Sequence, residues 1–274
     1  MALSAMVLSG CATQRTESPA SALGDAGARE ARVPGGATID ELRAAVAAKP
    51  DDAKLHYKLG NALFDAGRYE AAMSSYDAAL EIAPNHARAL TNKGLCLRRL
   101  GRVEEAIDMY RQSLAIDPGD FTTMQNLAFA LEVLGRFDEA IPLLRKLADM
   151  APDDVQVLSD LADVLLFEKW YQEAAEVYER LVELDPGVAG DYYNLGLCYF
   201  SLEKWDDALA AWTTALAYEP DDPKTNKGLA VVHWRRGDYD MAWEAVKRCR
   251  ELGLSLDPAF ITALQNDSGR LGPG

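Results

Sequence analysis

The fold is decided by the 34 residues 53–86, which read AKLHYKLGNALFDAGRYEAAMSSYDAALEIAPNH, and by their recurrence along the chain. Residues 87–120 follow the same pattern as ARALTNKGLCLRRLGRVEEAIDMYRQSLAIDPGD. Outward from these two repeats, equivalent small residues and prolines continue at the same spacing. They are Gly60, Gly94, Ala128, Ala162, Gly196 and Ala230; Ala72, Ala106, Ala140, Ala174, Ala208 and Ala242; and Pro50, Pro84, Pro118, Pro152, Pro186 and Pro220. A fixed period of roughly 20 to 50 residues predicts a stacked array of supersecondary units.

Each repeat contains two amphipathic stretches with helical spacing, for example residues 53–66 and 68–82. Gly or Ala at the point where two helices cross lets their backbones approach, so that the surrounding large side chains interlock. Glycine also suits the left-handed turn between the helices, and a proline ends each repeat because it cannot continue a helix. The turn glycines are Gly67, Gly101, Gly135 and Gly237. The pattern therefore predicts an all-α protein without strands.

These residues resemble the tetratricopeptide repeat (TPR) family. The resemblance implies a right-handed α-solenoid of about six helix-turn-helix repeats within residues 38–256, with a preceding half repeat that begins at Thr38. The complete repeats are residues 53–86, 87–120, 121–154, 155–188, 189–222 and 223–256. Residues 257–274 are expected to form a capping helix, from Asp257 through Gln265, and then a mobile tail.

A few residues depart from the family pattern. Lys93 stands where an apolar residue is usual, and Lys169 and Glu203 stand where the turn glycine is usual. Repeat six is the most degenerate, with Asn226 and His233 at positions that are usually apolar or bulky. The last repeat of an array has no following repeat against which to bury one face, so this degeneracy is expected.

The overall charge limits the class of partner. The 274-residue chain has 28 basic and 43 acidic residues, a net charge of −15 and a pI near 4.6. Such a protein lacks the basic surface that phosphate backbones require, so we expect no nucleic-acid partner. No apolar stretch reaches the roughly 20 residues of a transmembrane helix.

The N-terminus points to a lipid anchor. Residues 1–11 read MALSAMVLSGC and are almost wholly apolar or small. They resemble the signal peptide and lipobox of bacterial lipoproteins, which implies cleavage before Cys11, acylation of that cysteine and attachment to a membrane through the lipid. Ala12 after the cysteine implies the outer membrane. Residues 12–37 are rich in Ala, Gly, Ser and Pro and are expected to be a flexible linker.

The sequence contains no recognisable catalytic constellation. The three histidines lack metal-ligand spacing, and no CxxC, GxSxG or phosphate-binding glycine loop occurs. Acidic residues near helix starts are explained by their favourable interaction with helix dipoles. Cys96, Cys198 and Cys249 are expected to be small buried side chains without a disulfide. We therefore expect no enzyme activity, no cofactor, no metal site and no small-molecule substrate.

The resemblance also implies where a partner binds. In TPR proteins the first helix of each repeat lines a concave groove, and the equivalent positions here hold seven basic and three acidic residues, in contrast to the acidic whole. We expect protein or peptide partners with acidic and apolar residues. The candidate groove residues are Tyr57, Asn61, Phe64, Arg88, Asn92, Arg98, Arg99, Asn126, Phe129, Phe167, Tyr193, Asn194, Phe200, Lys224, Lys227, Trp234 and Arg235.

Three of these candidates allow two interpretations. Asn92, Asn126 and Asn194 share one repeat position, and in some TPR proteins such asparagines bond an extended peptide backbone; asparagine is also simply common there. The clamp that some TPR domains use for a terminal carboxylate needs lysines, for which Tyr57 and Thr122 stand here.

Two function classes follow from the sequence. The first is a lipid-anchored scaffold of the bacterial cell envelope, facing the periplasm, which resembles lipoproteins that assemble pili, secretion systems or outer-membrane complexes. The alternative is a soluble cytoplasmic adaptor that binds peptide partners and whose lipobox is accidental. The TPR part of a glycosyltransferase is disfavoured because too few residues remain for a catalytic domain.

Overall fold

The computed structural model describes residues 37–270, and within that range it contains fourteen α-helices and no strand. The expected signal peptide, Cys11 and nearly all of the linker lie outside the described residues, as does the extreme C-terminus. The chain divides into two compact parts at Met150. We call residues 37–150 the N-terminal block and residues 151–270 the C-terminal block.

Each block is a series of helix pairs. The N-terminal block contains α1 (Ile39–Ala48), α2 (Ala53–Asp65), α3 (Tyr69–Ile82), α4 (Ala87–Arg99), α5 (Val103–Ile116), α6 (Phe121–Val133) and α7 (Phe137–Met150). The C-terminal block contains α8 (Val155–Phe167), α9 (Tyr171–Leu184), α10 (Ala189–Ser201), α11 (Trp205–Tyr218), α12 (Pro223–Arg236), α13 (Tyr239–Glu251) and α14 (Pro258–Ser268).

Contacts within each block run from one helix to the next. The two helices of a repeat pack against each other, and the second helix then packs against the first helix of the following repeat. The half repeat α1 packs against α2 in the same way, and α14 packs against α13. This arrangement confirms the all-α solenoid of helix pairs that the resemblance to the TPR family implies.

Aspartates fix the starts of several first helices. Asp52 caps α2, because its carboxylate accepts a hydrogen bond from the backbone N–H of Lys54 at 3.0 Å. Asp120, Asp154 and Asp222 cap α6, α8 and α12 in the same manner. Each of these caps follows a repeat proline by two residues. A side-chain cap of this kind contributes about 0.5–2 kcal/mol, so the repeat boundary is encoded locally.

Left-handed residues make the turns between paired helices. Gly67 has φ 71°, and its N–H donates to the carbonyl oxygen of Phe64 at 2.9 Å. Lys169 adopts the same conformation at φ 63° and donates to Leu166 at 3.0 Å, and Glu203 has φ 60°. Lys169 and Glu203 therefore form the same turn as the glycines do. Their backbone is strained, because the left-handed conformation is sterically unfavourable for a residue with a side chain.

Lys169→Gly should stabilise the protein by about 0.5–1 kcal/mol. Relief of the left-handed backbone contributes about 1–2 kcal/mol, and the greater freedom of glycine in the unfolded chain offsets part of this gain. The urea midpoint of unfolding measures the effect. Lys58→Gly is the matched control, because Lys58 is exposed within α2 and should lose about 1 kcal/mol. A lowered midpoint for Lys169→Gly would contradict the strain at this turn.

The glycines of the repeat ladder stand where helices cross. A Cβ atom added at Gly60 would lie 2.4 Å from Cε1 of Tyr76, and one added at Gly94 would lie 2.6 Å from Cε1 of Tyr110. Tyr76 and Tyr110 are fully buried. The aromatic ring thus occupies the space that a larger residue would need, which confirms the close approach predicted for these glycines.

The C-terminal helix is longer than predicted. Helix α14 ends at Ser268 rather than Gln265, because its last turn is tied to the preceding repeat. The indole N–H of Trp234 donates to Asp267 at 2.8 Å, and that of Trp243 donates to Ser268 at 3.2 Å. Residues 266–268 are therefore helix and not tail. Buried Phe260 and Leu264 in this helix cover the end of the array.

The three cysteines of the described chain behave as expected from the sequence. Cys96, Cys198 and Cys249 are free and buried. Burial raises the pKa of the thiols of Cys96 and Cys198 to about 12. These thiols are packing groups rather than nucleophiles, since the reactive form of cysteine is the thiolate.

Candidate functional site

In the N-terminal block, the candidate residues lie on the first helices α2, α4 and α6, which contact one another in sequence. We call their solvent-facing surface the N-terminal face. Two candidates are exposed, namely Arg88 and Arg99. The others are half-buried, namely Tyr57, Asn61, Phe64, Asn92, Arg98, Asn126 and Phe129. The structure therefore brings nine candidates together on one block.

A polar network joins α2, α3 and α4. The hydroxyl of Tyr76 donates to Oδ1 of Asn61 at 2.8 Å, and Nδ2 of Asn92 donates to the same oxygen at 2.8 Å. Nδ2 of Asn92 also lies 3.3 Å from the hydroxyl of Tyr57. The asparagines at this end of the face thus connect successive helices.

The other two asparagines of the shared position also donate within the protein. Nδ2 of Asn126 donates to the carbonyl oxygen of Thr122 at 2.8 Å. Nδ2 of Asn194 donates to the hydroxyl of Tyr178 at 3.0 Å, and Asn194 is buried. Binding of a peptide backbone by all three asparagines would require them to exchange these partners.

Arg98 occupies the middle of the N-terminal face. Its guanidinium carbon lies 4.8 Å from the ring centroid of Phe129, a cation–π contact between α4 and α6. Tyr110, on α5, is fully buried. Burial raises the pKa of Tyr110 to about 12, and Arg98 opposes that rise through its positive charge and as a hydrogen-bond donor near the hydroxyl oxygen. Arg98 therefore contacts the Phe129 ring on α6 and also lies close to the buried hydroxyl of Tyr110 on α5.

The C-terminal block carries the remaining candidates on α8, α10 and α12. Phe167 is 58% exposed, and Lys224 is exposed as well. Lys227, Trp234 and Arg235 are half-buried, and the guanidinium of Arg235 lies 4.7 Å from the ring of Trp234. Because the indole N–H of Trp234 is bonded to α14, this residue helps to hold the capping helix.

Tyr193 and Phe200 differ from the expectation of an exposed apolar surface. Both are buried, and the Phe200 ring packs at 5.1 Å from Trp205 and 5.6 Å from Trp212. Tyr193 stacks at 6.5 Å on Trp212. The large indoles of α11 cover the side chains that face them from α10. In this conformation the two residues are core, and the tryptophans were the sequence signal for it.

An acidic group on the C-terminal block was missed from the sequence. The hydroxyl of Tyr178 donates to Oδ1 of Asp163 at 2.5 Å. Asp191, in the first turn of α10, is partly buried nearby. Burial raises the pKa of Asp191 to about 6, and the negative charges of Asp163 and Asp185 raise it further. Only the folded arrangement brings these carboxyl groups from three helix segments close together.

Asp191→Asn should stabilise the protein by about 1 kcal/mol above pH 6. A raised pKa means that the folded state binds more protons than the unfolded state between about pH 4 and 6, so stability falls as the pH rises through that window. The asparagine removes this penalty, less a favourable helix-dipole interaction of about 0.3–1 kcal/mol. Unfolding by urea at a series of pH values measures the difference.

The matched control for this prediction is Asp207→Asn. Asp207 is exposed in the first turn of α11. Its substitution loses only the dipole interaction and should stabilise the protein at no pH. Equal pH profiles for the native chain and Asp191→Asn would contradict the proposed cause.

Comparisons with known proteins agree on one description. Residues 51–118, 97–163, 134–195, 191–222 and 228–244 match sequence models described as tetratricopeptide repeat. No curated protein sequence matches the chain. Within residues 37–270, no helix combines the length and the apolarity that crossing a bilayer requires.

Solved structures are similar over most of their own length. A structure of YrrB, described as a TPR protein with an unusual peptide-binding site, has a TM-score of 0.63 and 24% identity, covering 69% of this chain and 97% of that one. MamA from Desulfovibrio magneticus RS-1 has a TM-score of 0.55 and 26% identity, covering 61% of this chain and 94% of that one.

Proposed function

The chain belongs to the tetratricopeptide repeat family, and from that premise we propose that it is a protein-binding scaffold of the bacterial cell envelope, anchored by a lipid on Cys11. It works by holding a segment of a partner protein on the first-helix faces of its repeats, and not by catalysing a reaction.

One observation carries the binding role. Helix α4 bears Arg88, Arg98 and Arg99 and no acidic residue, in a chain whose net charge is −15. These arginines lie on a face that also presents half-buried aromatic rings. A cationic surface with aromatic neighbours suits a protein segment that contains acidic and apolar residues, because charge steers encounter and aromatic contacts supply affinity.

One of the similar solved structures is consistent with this class of ligand. YrrB is described as having a peptide-binding site, and we propose that a peptide segment is also the ligand here. The proposed surface is the N-terminal face, because two of its arginines are exposed.

The lipid anchor rests on the sequence of residues 1–11, which ends in LSGC. An anchor followed by a spacer and a repeat array places the binding face away from the bilayer. We propose the outer membrane, with the array in the periplasm, and a role in the assembly of an envelope complex such as a pilus or secretion system.

Metabolic labelling with palmitate tests the anchor. The native protein should be labelled and should fractionate with membranes, because several acyl chains hold a protein stably on a bilayer. Cys11→Ser should lose the label and leave the membrane fraction. Cys96→Ser is the control, since that cysteine is buried in the N-terminal block and should stay labelled as the native protein does.

The soluble cytoplasmic adaptor is the second candidate. It would be favoured if neither the native chain nor Cys11→Ser were labelled and both stayed in the cytosolic fraction. That result would contradict the proposed lipid anchor. It would not affect the proposed protein-binding role, which is tested separately by measuring the binding of a partner.

A further inference from the structure

We propose that Arg98, Phe129 and the hydroxyl of Tyr110 form a subsite that takes the carboxylate of a glutamate or aspartate side chain in the partner segment. This proposal rests on the protein-binding function proposed above and specifies the ligand chemistry at one point of the N-terminal face.

The argument starts from three equivalent tyrosines. Tyr76, Tyr110 and Tyr178 occupy the same position in the second helices of repeats one, two and four, and all three are fully buried. The hydroxyl of Tyr76 donates to Asn61 at 2.8 Å, and that of Tyr178 donates to Asp163 at 2.5 Å. In these two repeats the first helix supplies the acceptor.

Repeat two lacks that acceptor. Leu95 stands at the position of Asn61 and Asp163 and cannot accept a hydrogen bond. Among residues 37–270, the proton of the Tyr110 hydroxyl has no acceptor, and neither has the buried Nε–H of Arg98. The guanidinium of Arg98 lies close enough to the hydroxyl oxygen to lower the pKa of Tyr110 as a hydrogen-bond donor, but a guanidinium cannot accept the hydroxyl proton. Buried polar groups are nearly always satisfied, because an unsatisfied one costs free energy. Two unsatisfied donors in neighbouring side chains therefore indicate a place for an external acceptor.

The charge of the helix selects an anion as that acceptor. In the N-terminal block, Arg111 of the second helix α5 pairs with Glu139 at 2.5 Å. On α4, Lys93 pairs with Asp77 at 2.6 Å. The three arginines of α4 have no carboxylate partner within the described chain. A carboxylate can accept from a guanidinium and from a hydroxyl together, and such charge-assisted bonds are the strong ones.

Phe129 positions the guanidinium of Arg98 and also favours a ligand that has an apolar residue beside its carboxylate. The guanidinium carbon of Arg98 lies 4.8 Å from the centroid of this ring, so a cation–π contact positions the guanidinium in the free protein. Phe129 is itself half-buried, so an apolar residue next to the bound carboxylate can pack against it. Because the hydroxyl of Tyr110 is covered, binding must be coupled to a shift of a side chain, most simply that of Arg98, which is partly exposed.

The length of α4 sets the spacing of acidic groups in the segment. Arg88 and Arg98 are separated by ten residues, which corresponds to about 15 Å along a helix. An extended segment advances about 3.3 Å per residue. A segment that follows α4 would therefore place a second acidic side chain about four or five residues from the one bound at Arg98.

The test uses the peptide acetyl-Glu-Phe-Ala-Ala-Ala-Glu-amide and the same peptide with both glutamates changed to glutamine. Nuclear magnetic resonance of the arginine Nε–H groups follows binding at millimolar peptide. The Arg98 resonance of the full chain should shift and saturate with the glutamate peptide and stay unchanged with the glutamine peptide. Arg111→Gln, which removes a paired arginine from α5, should bind the peptide as the native chain does.

Two variants separate the subsite from general electrostatics. Tyr110→Phe should weaken binding of the glutamate peptide about tenfold, since a hydrogen bond to a charged group is lost. Leu95→Asn gives Tyr110 the internal acceptor that Asn61 gives Tyr76, and it should weaken binding as well. In the free protein, Tyr110→Phe should melt no lower than the native chain, whereas Tyr178→Phe should melt lower because its hydroxyl is already bonded to Asp163.

Four results would overturn the proposal. The first is no shift of Arg98 with the glutamate peptide. The second is unchanged affinity in both Tyr110→Phe and Leu95→Asn. The third is a shift of Arg98 with phosphatidylglycerol vesicles and not with the peptide, which would assign the arginines to a membrane surface. If Arg98→Gln still captures a partner protein as the native chain does, the subsite is wrong and the protein-binding function stands.

Discussion

Gly196→Ala is expected to destabilise the C-terminal block by about 2–3 kcal/mol, although alanine is the better helix former. A Cβ atom at this position would lie 2.3 Å from Nε1 and 2.4 Å from Cδ1 of Trp212. The indole is fully buried, and its N–H donates to the carbonyl oxygen of Tyr193 at 3.0 Å, so the ring has no room to yield. Overpacking costs about 1–3 kcal/mol or more, which outweighs a propensity gain of at most about 1 kcal/mol.

Gly190→Ala provides the matched control in the same helix. No atom lies within 4 Å of a Cβ added at Gly190. This variant should therefore be neutral or up to about 1 kcal/mol more stable than the native chain. Urea unfolding followed by circular dichroism compares the two. Equal urea midpoints for Gly190→Ala and Gly196→Ala would contradict this account, because they would show that a Cβ atom is tolerated at position 196 despite the close approach of Trp212.

Phe260→Ala is expected to have the larger effect, about 3–5 kcal/mol, because it empties a fully buried site beneath the capping helix. The ring of Phe260 packs edge-on against Trp234 at 5.6 Å. Repeat arrays are stabilised mainly by neighbour contacts, so the loss should stay local. Amide hydrogen exchange should accelerate in α12, α13 and α14, while α2 to α4 keep their protection.

Ile261→Ala in the same helix is a suitable control for this variant, because Ile261 is only partly buried against the same cluster. It should accelerate exchange less than Phe260→Ala does. Unchanged exchange in α12 and α13 of Phe260→Ala would show that the array does not depend on α14 for its closure.

Most of the fold could be predicted because the same 34-residue helix-turn-helix pattern occurs six times in the sequence. The predicted first pair, residues 53–66 and 68–82, agrees with α2 and α3 to within one residue at each end. The end of α14 was missed, since bonds from two distant tryptophans hold its last turn. Such contacts follow from packing and not from the local sequence around Gln265.

Less of the candidate site could be predicted. The repeat position identifies which residues belong to a first helix, but burial depends on what the neighbouring second helix presents. Tyr193 and Phe200 became core because Trp212 faces them. The hydroxyl of Tyr110 lacks an acceptor because Leu95 stands where repeat one has Asn61. This difference is visible in the sequence, but its consequence is clear only from the structure, in which Asn61 accepts the hydrogen bond of Tyr76.

The central claim is that the first-helix face of the N-terminal block binds a protein segment, and photo-crosslinking in cells tests it most directly. A photoreactive amino acid replaces either Thr122, exposed on α6, or Asp108, exposed on the second helix α5. The account predicts a partner adduct from Thr122, none from Asp108, and loss of the Thr122 adduct when Arg98 and Arg99 are both changed to Glu. Adducts from Asp108 alone, or a Thr122 adduct that survives the charge reversal, would contradict it.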